Sequence, residues 1–478
     1  MSVEVLTILM FITLMASIAL GHPLAVTLAA VATVFGLIDN GFDVSALLGL
    51  FANNAWGIFL NYTLVAIPLF IFMAQILDRS KVSEGLFDAL YQVLGGLRGG
   101  LGMAVIVVST VFAATTGIIG ASVVAMGLMA GPALLRRGYN RGLGAGIICA
   151  SGTLGILIPP SIMLVVYGGL TGQKETSVGN LFAAAIMPGL LLSALYLLYV
   201  GVRCYINPEM GPPIPKEDRT ATVSEKISMT MKNFVPPFGL ILTVMGTILA
   251  GIATPTEAAA LGCIGALILA LATRKLDWDV ITQSCISTAR TTAMIMALFV
   301  GGKFFSVVFL SMGGGDVVAD VLLGMDVSPY VVFVIMMAVV FVMGMFIDWA
   351  AILLVVVPIF TPIALDLDFN PLWFAMMVCI NLQTSFLTPP FGYALFYFKG
   401  VAPPEYTMGD VYRGILPFVA IQLIGLATLV FFPEIITWLP GVFFGNGQGM
   451  FYTSRGQAML PKIKKILYAT GMGPGAPH

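Results

Sequence analysis

Residues 149–160 read CASGTLGILIPP, and residues 380–390 read INLQTSFLTPP. Each run sets small or polar residues ahead of a Pro-Pro pair, inside an apolar stretch long enough to cross a bilayer. Such a pair removes two backbone donors, and its rings clash with the turn before them, so a helix entering it breaks. The break frees carbonyls, hydroxyls add oxygen ligands, and the half-helix that restarts presents amide donors and a positive dipole end. Carbonyl and hydroxyl oxygens suit a weakly hydrated cation such as Na⁺, whereas helix N-termini suit a carboxylate. Two further interruptions, ATTGIIGAS (114–122) and GMFIDWAA (344–351), offer the same kinds of group. Substrate contacts are assigned to Ser151, Thr153, Pro159 and Pro160 in the first break, and to Asn381, Gln383, Pro389 and Pro390 in the second.

These residues need elements that hold them at depth. The chain of 478 residues is 59% hydrophobic and 9% charged, with a mean hydropathy of +1.01. A soluble domain cannot hide that much apolar surface, so the class is an all-α polytopic membrane protein in a lipid bilayer. Long continuous apolar runs, instead of alternating ones, exclude a β-barrel. The net charge of −1 and the lack of a basic run give no sign of nucleic acid. Five scattered cysteines read as buried thiols. Residues 1–20 read as a first membrane helix, not a cleaved signal. No H-E-x-x-H, G-x-S-x-G or Walker loop supports an enzyme or an organic cofactor.

The chain repeats itself. Pro389-Pro390 follows Pro159-Pro160 by 230 residues, as Pro362 follows Pro132. The expected organisation is a first repeat at 1–203, with a hairpin at 100–135 and a broken helix at 142–170. A cytoplasmic linker (204–232) follows. The second repeat covers 233–432, with a hairpin at 330–365 and a broken helix at 371–400, and a C-terminal interfacial segment and tail occupies 433–478. If each hairpin is re-entrant, each repeat has five crossings, and the second copy enters from the opposite face as an inverted repeat. Most of the 22 Lys and Arg then share one face, including Arg79, Arg98, Arg136, Arg137, Arg203 and Arg290, while Asp39, Asp43, Asp316, Asp366 and Asp368 lie on the other. The positive-inside rule makes the basic face cytoplasmic. Full pairs of crossings in place of hairpins leave this parity unchanged. Residues 80–98 and 274–288 are amphipathic and are expected to lie along the interface, or to be plain loops.

Asp348 is the one acid of the second hairpin. An ionised Asp at mid-depth costs about 2.5–3.5 kcal/mol on insertion scales, so it needs a partner. It either serves a cation or proton, or fixes the hairpin turn by hydrogen bonding. Lys303 either offsets a substrate carboxylate or snorkels outward. Glu257, two residues after Pro255, reads as a helix cap, and His22 as a turn residue.

The segments GIATPTEAAALG (251–262), ATTGIIGASVVAMGLMAGP (114–132), ASGTLGILIPPS (150–161) and TPPFGYALFYFKGVAP (388–403) resemble the large membrane subunit of tripartite ATP-independent periplasmic (TRAP) transporters, the DctM-like family. The resemblance covers about residues 1–445. It implies a Na⁺-driven importer of an organic acid in the bacterial inner membrane, working by an elevator-like mechanism. It also implies two partners, a small four-helix membrane subunit and a periplasmic substrate-binding protein. The family's cation ligands match Thr115, Thr116, Gly117, Ser122, Gly152 and Gly155 here, and Ile347, Asp348, Thr384, Ser385 and Thr388. A standalone Na⁺/carboxylate symporter of the same architecture, or a channel or scaffold, is the alternative. Residues 446–478 extend past where such subunits usually end, and no role is assigned to them.

If 100–135 turns back within the membrane, a cysteine at Gly120 is expected to be protected from aqueous thiol reagents by Na⁺ or substrate. Labelling as fast as a full outer loop, with no protection by either, contradicts the hairpin.

Overall fold

The structure is a computed structural model that describes residues 2–80, 82–117, 119–215 and 222–445; at 19, 82–84, 114–116 and 223 it describes the backbone alone. Among the described residues there are helices and no strand. The first half runs α1 (Val3–Ala19), α2 (Leu24–Asp39), α3 (Val44–Phe59), α4 (Ala66–Arg79) and α5 (Val82–Leu94). It continues as α6 (Gly100–Thr116), α7 (Ile119–Arg136), α8 (Arg141–Thr153), α9 (Ile162–Thr171) and α10 (Val178–Ile206). After α11 (Val223–Asn233) come α12 (Val235–Leu249), α13 (Pro255–Ala272), α14 (Trp278–Ser311) and α15 (Gly314–Leu323). The chain closes with α16 (Pro329–Phe346), α17 (Trp349–Asp366), α18 (Pro371–Ser385), α19 (Tyr393–Val401), α20 (Met408–Phe431) and α21 (Glu434–Phe444). Nine helices among the described residues are long and apolar enough to cross a membrane, by length and composition.

The expected hairpins are the pairs α6–α7 and α16–α17, and the expected broken helices are α8–α9 and α18–α19. Both Pro-Pro bonds, Pro159-Pro160 and Pro389-Pro390, are cis. Asparagine starts both broken helices. The side chain of Asn140 accepts from Leu143 N at 3.1 Å, and that of Asn370 from Leu372 N at 2.9 Å. Each satisfies an amide that the first helical turn cannot. Glu257 caps as expected, pairing reciprocally with Thr254 at the start of α13.

Three features depart from the sequence reading. Residues 44–59, to which that reading gives no element, form α3, a continuous helix of 16 residues that falls short of spanning length. Residues 274–288 are not a separate interfacial segment, because α14 runs unbroken for 34 residues, about 51 Å at the α-helical rise. No Gly or Pro interrupts 278–300, whereas Gly95, Gly96, Gly99 and Gly100 separate α5 from α6. The linker at 204–232 holds part of α11 and the last turn of α10; its residues 216–221, like 446–478, lie outside the described residues.

Two packing groups emerge. α14 lies along α2, α3 and α4, and α13 along α4 and α12. The hairpins and broken helices form the other group, and they exchange partners across the halves of the chain. α19, from the second half, packs on α7 and α8, while α9, from the first half, packs on α17. Neither hairpin therefore closes its own packing without the other half's short helix. α8 and α20 approach closely through glycine: a Cβ at Gly414 would lie 1.9 Å from Gly142 O, and one at Gly146 2.2 Å from Gly414 O. Backbones this near leave no room for a methyl group.

Gly414→Ala is expected to destabilise the protein by about 1–3 kcal/mol through overpacking. Gly246→Ala, whose Cβ meets nothing within 4 Å, is expected to be neutral or slightly stabilising. Thermal unfolding in detergent compares them, and equal melting shifts would contradict the packing assigned to α8 and α20.

Candidate functional site

The first hairpin turns at Gly117, whose φ of +61° is a left-handed conformation that glycine adopts without penalty. A Cβ there would sit 3.2 Å from Pro160 O, so this tip rests directly on the break between α8 and α9. Within that break Ser151 Oγ donates to Ile147 O at 2.7 Å, and Thr153 Oγ1 to Ala150 O at 2.8 Å. Ser161 Oγ donates to Ile156 O. Gly152 packs against Val123 of α7, and Gly155, Pro159 and Pro160 are buried. Ser122 is buried inside α7, one turn past the tip. The side chains of Thr115 and Thr116 lie outside the described residues.

The second tip is built differently. Ile347 is buried, and Asp348 caps α17 by accepting from Ala350 N at 3.0 Å. Tyr393 OH donates to Phe346 O at 3.1 Å, tying the end of α16 to α19. At the end of α18, Thr384 and Ser385 donate to Ile380 O and Leu382 O of the same helix, and Thr388, in the break, donates back to Thr384 O. Asn381 Nδ2 donates to Met337 O at 2.7 Å, which binds α18 to α16. Pro389 is half-buried and Pro390 exposed, unlike the first pair. A hydroxyl that donates to a carbonyl keeps its lone pairs for other donors or for a cation.

Among the described residues one side-chain hydrogen bond joins α8 directly to α18. Gln383 Nε2 donates to Thr153 Oγ1 at 3.4 Å, across 230 residues of sequence. Both residues are fully buried. The remaining amide oxygen of Gln383 is buried and meets no donor among the described residues. An acceptor left so costs about 1–3 kcal/mol.

Between the tips lies a cavity of about 90 Å³. Gly120 and Ile162 line it from the first half, and Asp348, Phe386, Tyr393 and Tyr397 from the second. Thr291, Met294, Ile295 and Leu298 of α14 form the opposite wall. Of the residues expected to bind cation or substrate, Asp348 lines the cavity; the others lie in the tips and breaks without lining it. Lys303 lies half-buried further along α14 and does not reach the lining. The two tyrosines and the α14 wall were not foreseen. Tyr393 and Tyr397 stand four residues apart just past the second break, so both point to one side of α19, and that spacing was the available signal. Among the described residues no three His, Cys, Asp or Glu side chains gather as a metal site. A cation held here would therefore rely on carbonyl, hydroxyl and amide oxygens with one carboxylate.

Residues 11–435 match the model of the tripartite ATP-independent periplasmic transporter DctM component. The chain belongs to the DctM family. A C4-dicarboxylate TRAP transporter large permease protein of Pseudomonas aeruginosa is 32% identical over 383 residues, 80% of this chain and 86% of that one. An ectoine/5-hydroxyectoine TRAP transporter large permease protein of Ruegeria pomeroyi is 30% identical, over 91% of this chain and 99% of its own. In three dimensions the YdaH transporter of Alcanivorax borkumensis superposes with a TM-score of 0.62 at 14% identity, covering 93% of this chain and 99% of that one. That likeness concerns the fold. This DctM-family chain is thus a multi-pass membrane protein and the large permease subunit of a TRAP transporter.

Asp348→Ala is expected to lower stability by about 0.5–2 kcal/mol, because the cap on α17 is lost. Asp348→Asn keeps a capping oxygen and is expected to lose little. A loss as large for Asn as for Ala would mean that the charge, and not the cap, holds the second tip.

Proposed function

We propose that this permease imports an organic acid across the bacterial inner membrane, driven by Na⁺. A periplasmic binding protein delivers the ligand, and a small four-helix membrane subunit completes the complex. The observation that carries this reading is the convergence of both hairpin tips and both breaks on one small cavity walled by α14. Hydroxyls at the second break that donate to carbonyls, those of Thr384, Ser385 and Thr388, keep lone pairs that suit coupling ions. The tip and break residues Gly117, Gly152, Gly155, Ser122, Ile347, Thr384, Ser385 and Thr388, with Thr115 and Thr116, are the proposed cation ligands. Ser151, Thr153, Asn381, Gln383 and the four prolines of the breaks are the proposed substrate side. Asp348 sits where both roles meet. Its cap bond to Ala350 uses one oxygen, and its position on the cavity supports a cation role for the other.

The proposed movement follows from the two packing groups. α6–α9 and α16–α19 travel together, because each hairpin is completed by the other half's short helix, and α14 with its neighbours forms the surface they slide along. The pairing of elements 230 residues apart supports an inverted repeat, which would let the tips open to either face in turn. Substrates in the relatives' names include C4-dicarboxylates and ectoine, and a carboxylate is common to both.

Reconstituted with its two partners, the transporter is expected to take up an organic acid only down a Na⁺ gradient. Thr388→Val keeps the shape and deletes a hydroxyl. It is expected to raise the Na⁺ concentration for half-maximal uptake about threefold to tenfold, the equivalent of roughly 0.7–1.4 kcal/mol. Uptake that ignores Na⁺ in the wild type would refute the coupling; an unshifted Na⁺ requirement in the variant would remove Thr388 from the site.

A further inference from the structure

We propose that the cavity between α5 and the basic end of α7 seats the phosphate headgroup of an anionic phospholipid. This rests on the orientation proposed above, which puts the basic face in the cytoplasmic leaflet. The cavity holds about 420 Å³ and is lined by Phe87, Asp88 and Tyr91 of α5, by Ala133 and Arg136 of α7, and by Arg137 just past its end. Arg137 Nε donates to Tyr91 OH at 2.9 Å, and its guanidinium carbon stands 5.9 Å from the centre of the Tyr91 ring. These contacts fix the guanidinium plane at the cavity wall. Arg136, beside it in sequence, is exposed. Two guanidinium groups against the single carboxylate of Asp88 leave the lining net positive, and planar forks of this kind match phosphate oxygens two at a time.

The depth favours a lipid over a soluble anion. α7 ends at Arg136 and α6 starts at Gly100, so the cavity lies at the helix ends, where headgroups sit. α5 packs on α6 and on α11, and Phe87 and Ala133 give the cavity an apolar wall for the start of an acyl chain. Basic pockets between membrane helices on the cytoplasmic side are the known setting for acidic headgroups. A lipid here would bridge α5 to the first hairpin's second arm, so its binding would bear on how freely that hairpin moves.

The test uses the full chain with its membrane subunit, stripped of lipid and examined by native mass spectrometry with phosphatidylglycerol, phosphatidylcholine or inorganic phosphate. Wild type is expected to keep a phosphatidylglycerol adduct in preference to phosphatidylcholine. Arg136→Gln is expected to weaken it about fivefold, and Arg136→Gln with Arg137→Gln more, at roughly 1 kcal/mol per charge. Arg274→Gln, on the same face but outside the cavity, is expected to change nothing. Because Arg136 is exposed, the single variant gives an answer even if the double variant does not fold. An unchanged adduct in Arg136→Gln, or displacement of the lipid by millimolar inorganic phosphate, would overturn the assignment. Na⁺-driven uptake, measured separately in vesicles, reports on the transport reading alone and can fail while the adduct persists.

Discussion

Backbone amides and carbonyls buried in a bilayer must find partners inside the protein, and this requirement governs the structure. The chain interrupts helices at its two tips and two breaks, and each interruption is answered from nearby. The Gly117 tip leans on the carbonyl of Pro160; Asp348 and Tyr393 satisfy the second tip. Serine and threonine hydroxyls turn back onto their own helices throughout the breaks. Among the described residues, the amide oxygen of Gln383, where α8 meets α18, is one of the buried polar atoms that find no partner; Tyr167, Tyr196, Thr361 and Gln422 carry others.

The same requirement explains the exchange of short helices between the halves. A half-helix such as α9 or α19 is too short to bury itself, and it gains both partners and apolar contact by packing on the opposite hairpin. Cys149 of α8 reaches the carbonyl of Ala394 of α19 at 3.8 Å, and Tyr406 OH reaches Gly131 O at 3.3 Å. Contacts between the halves are thus distributed through the hairpin group and do not depend on the single Gln383–Thr153 bond. Against α14 the fit is of another kind, apolar side chains and Gly302 facing Leu354, with no hydrogen bond between α14 and α17 among the described residues.

Much of this was legible in the sequence because bilayer physics writes it in hydropathy and in proline. Long apolar stretches became helices, and both Pro-Pro pairs fell between helices. The four interruptions read from Gly, Pro and polar residues are those that converge in space. Less legible was anything set by three-dimensional pairing. Hydropathy could not say that α14 begins as early as Trp278, because a polar helical turn and a surface segment look alike in composition. Nor could it place Tyr393 and Tyr397 on the cavity, since aromatic residues past a break serve packing as readily as a site. The difference between the tips, a left-handed glycine in one and a capping aspartate in the other, was visible as Gly117 and Asp348, but their distinct geometries required coordinates.

The central claim is that hairpins and broken helices move as one body along α14 and its neighbours. Spin labels at Val26 of α2 and Leu128 of α7, both exposed at 64% and 57%, report distance between the groups; labels at Leu128 and Phe396 of α19 report distance within one. Pulsed electron resonance on the complex, with the exposed Cys285 replaced, compares samples with and without Na⁺ and loaded binding protein. The account predicts that the Val26–Leu128 distribution shifts between conditions while the Leu128–Phe396 distribution holds. A fixed Val26–Leu128 distance, or a Leu128–Phe396 distance that changes as much, would contradict it.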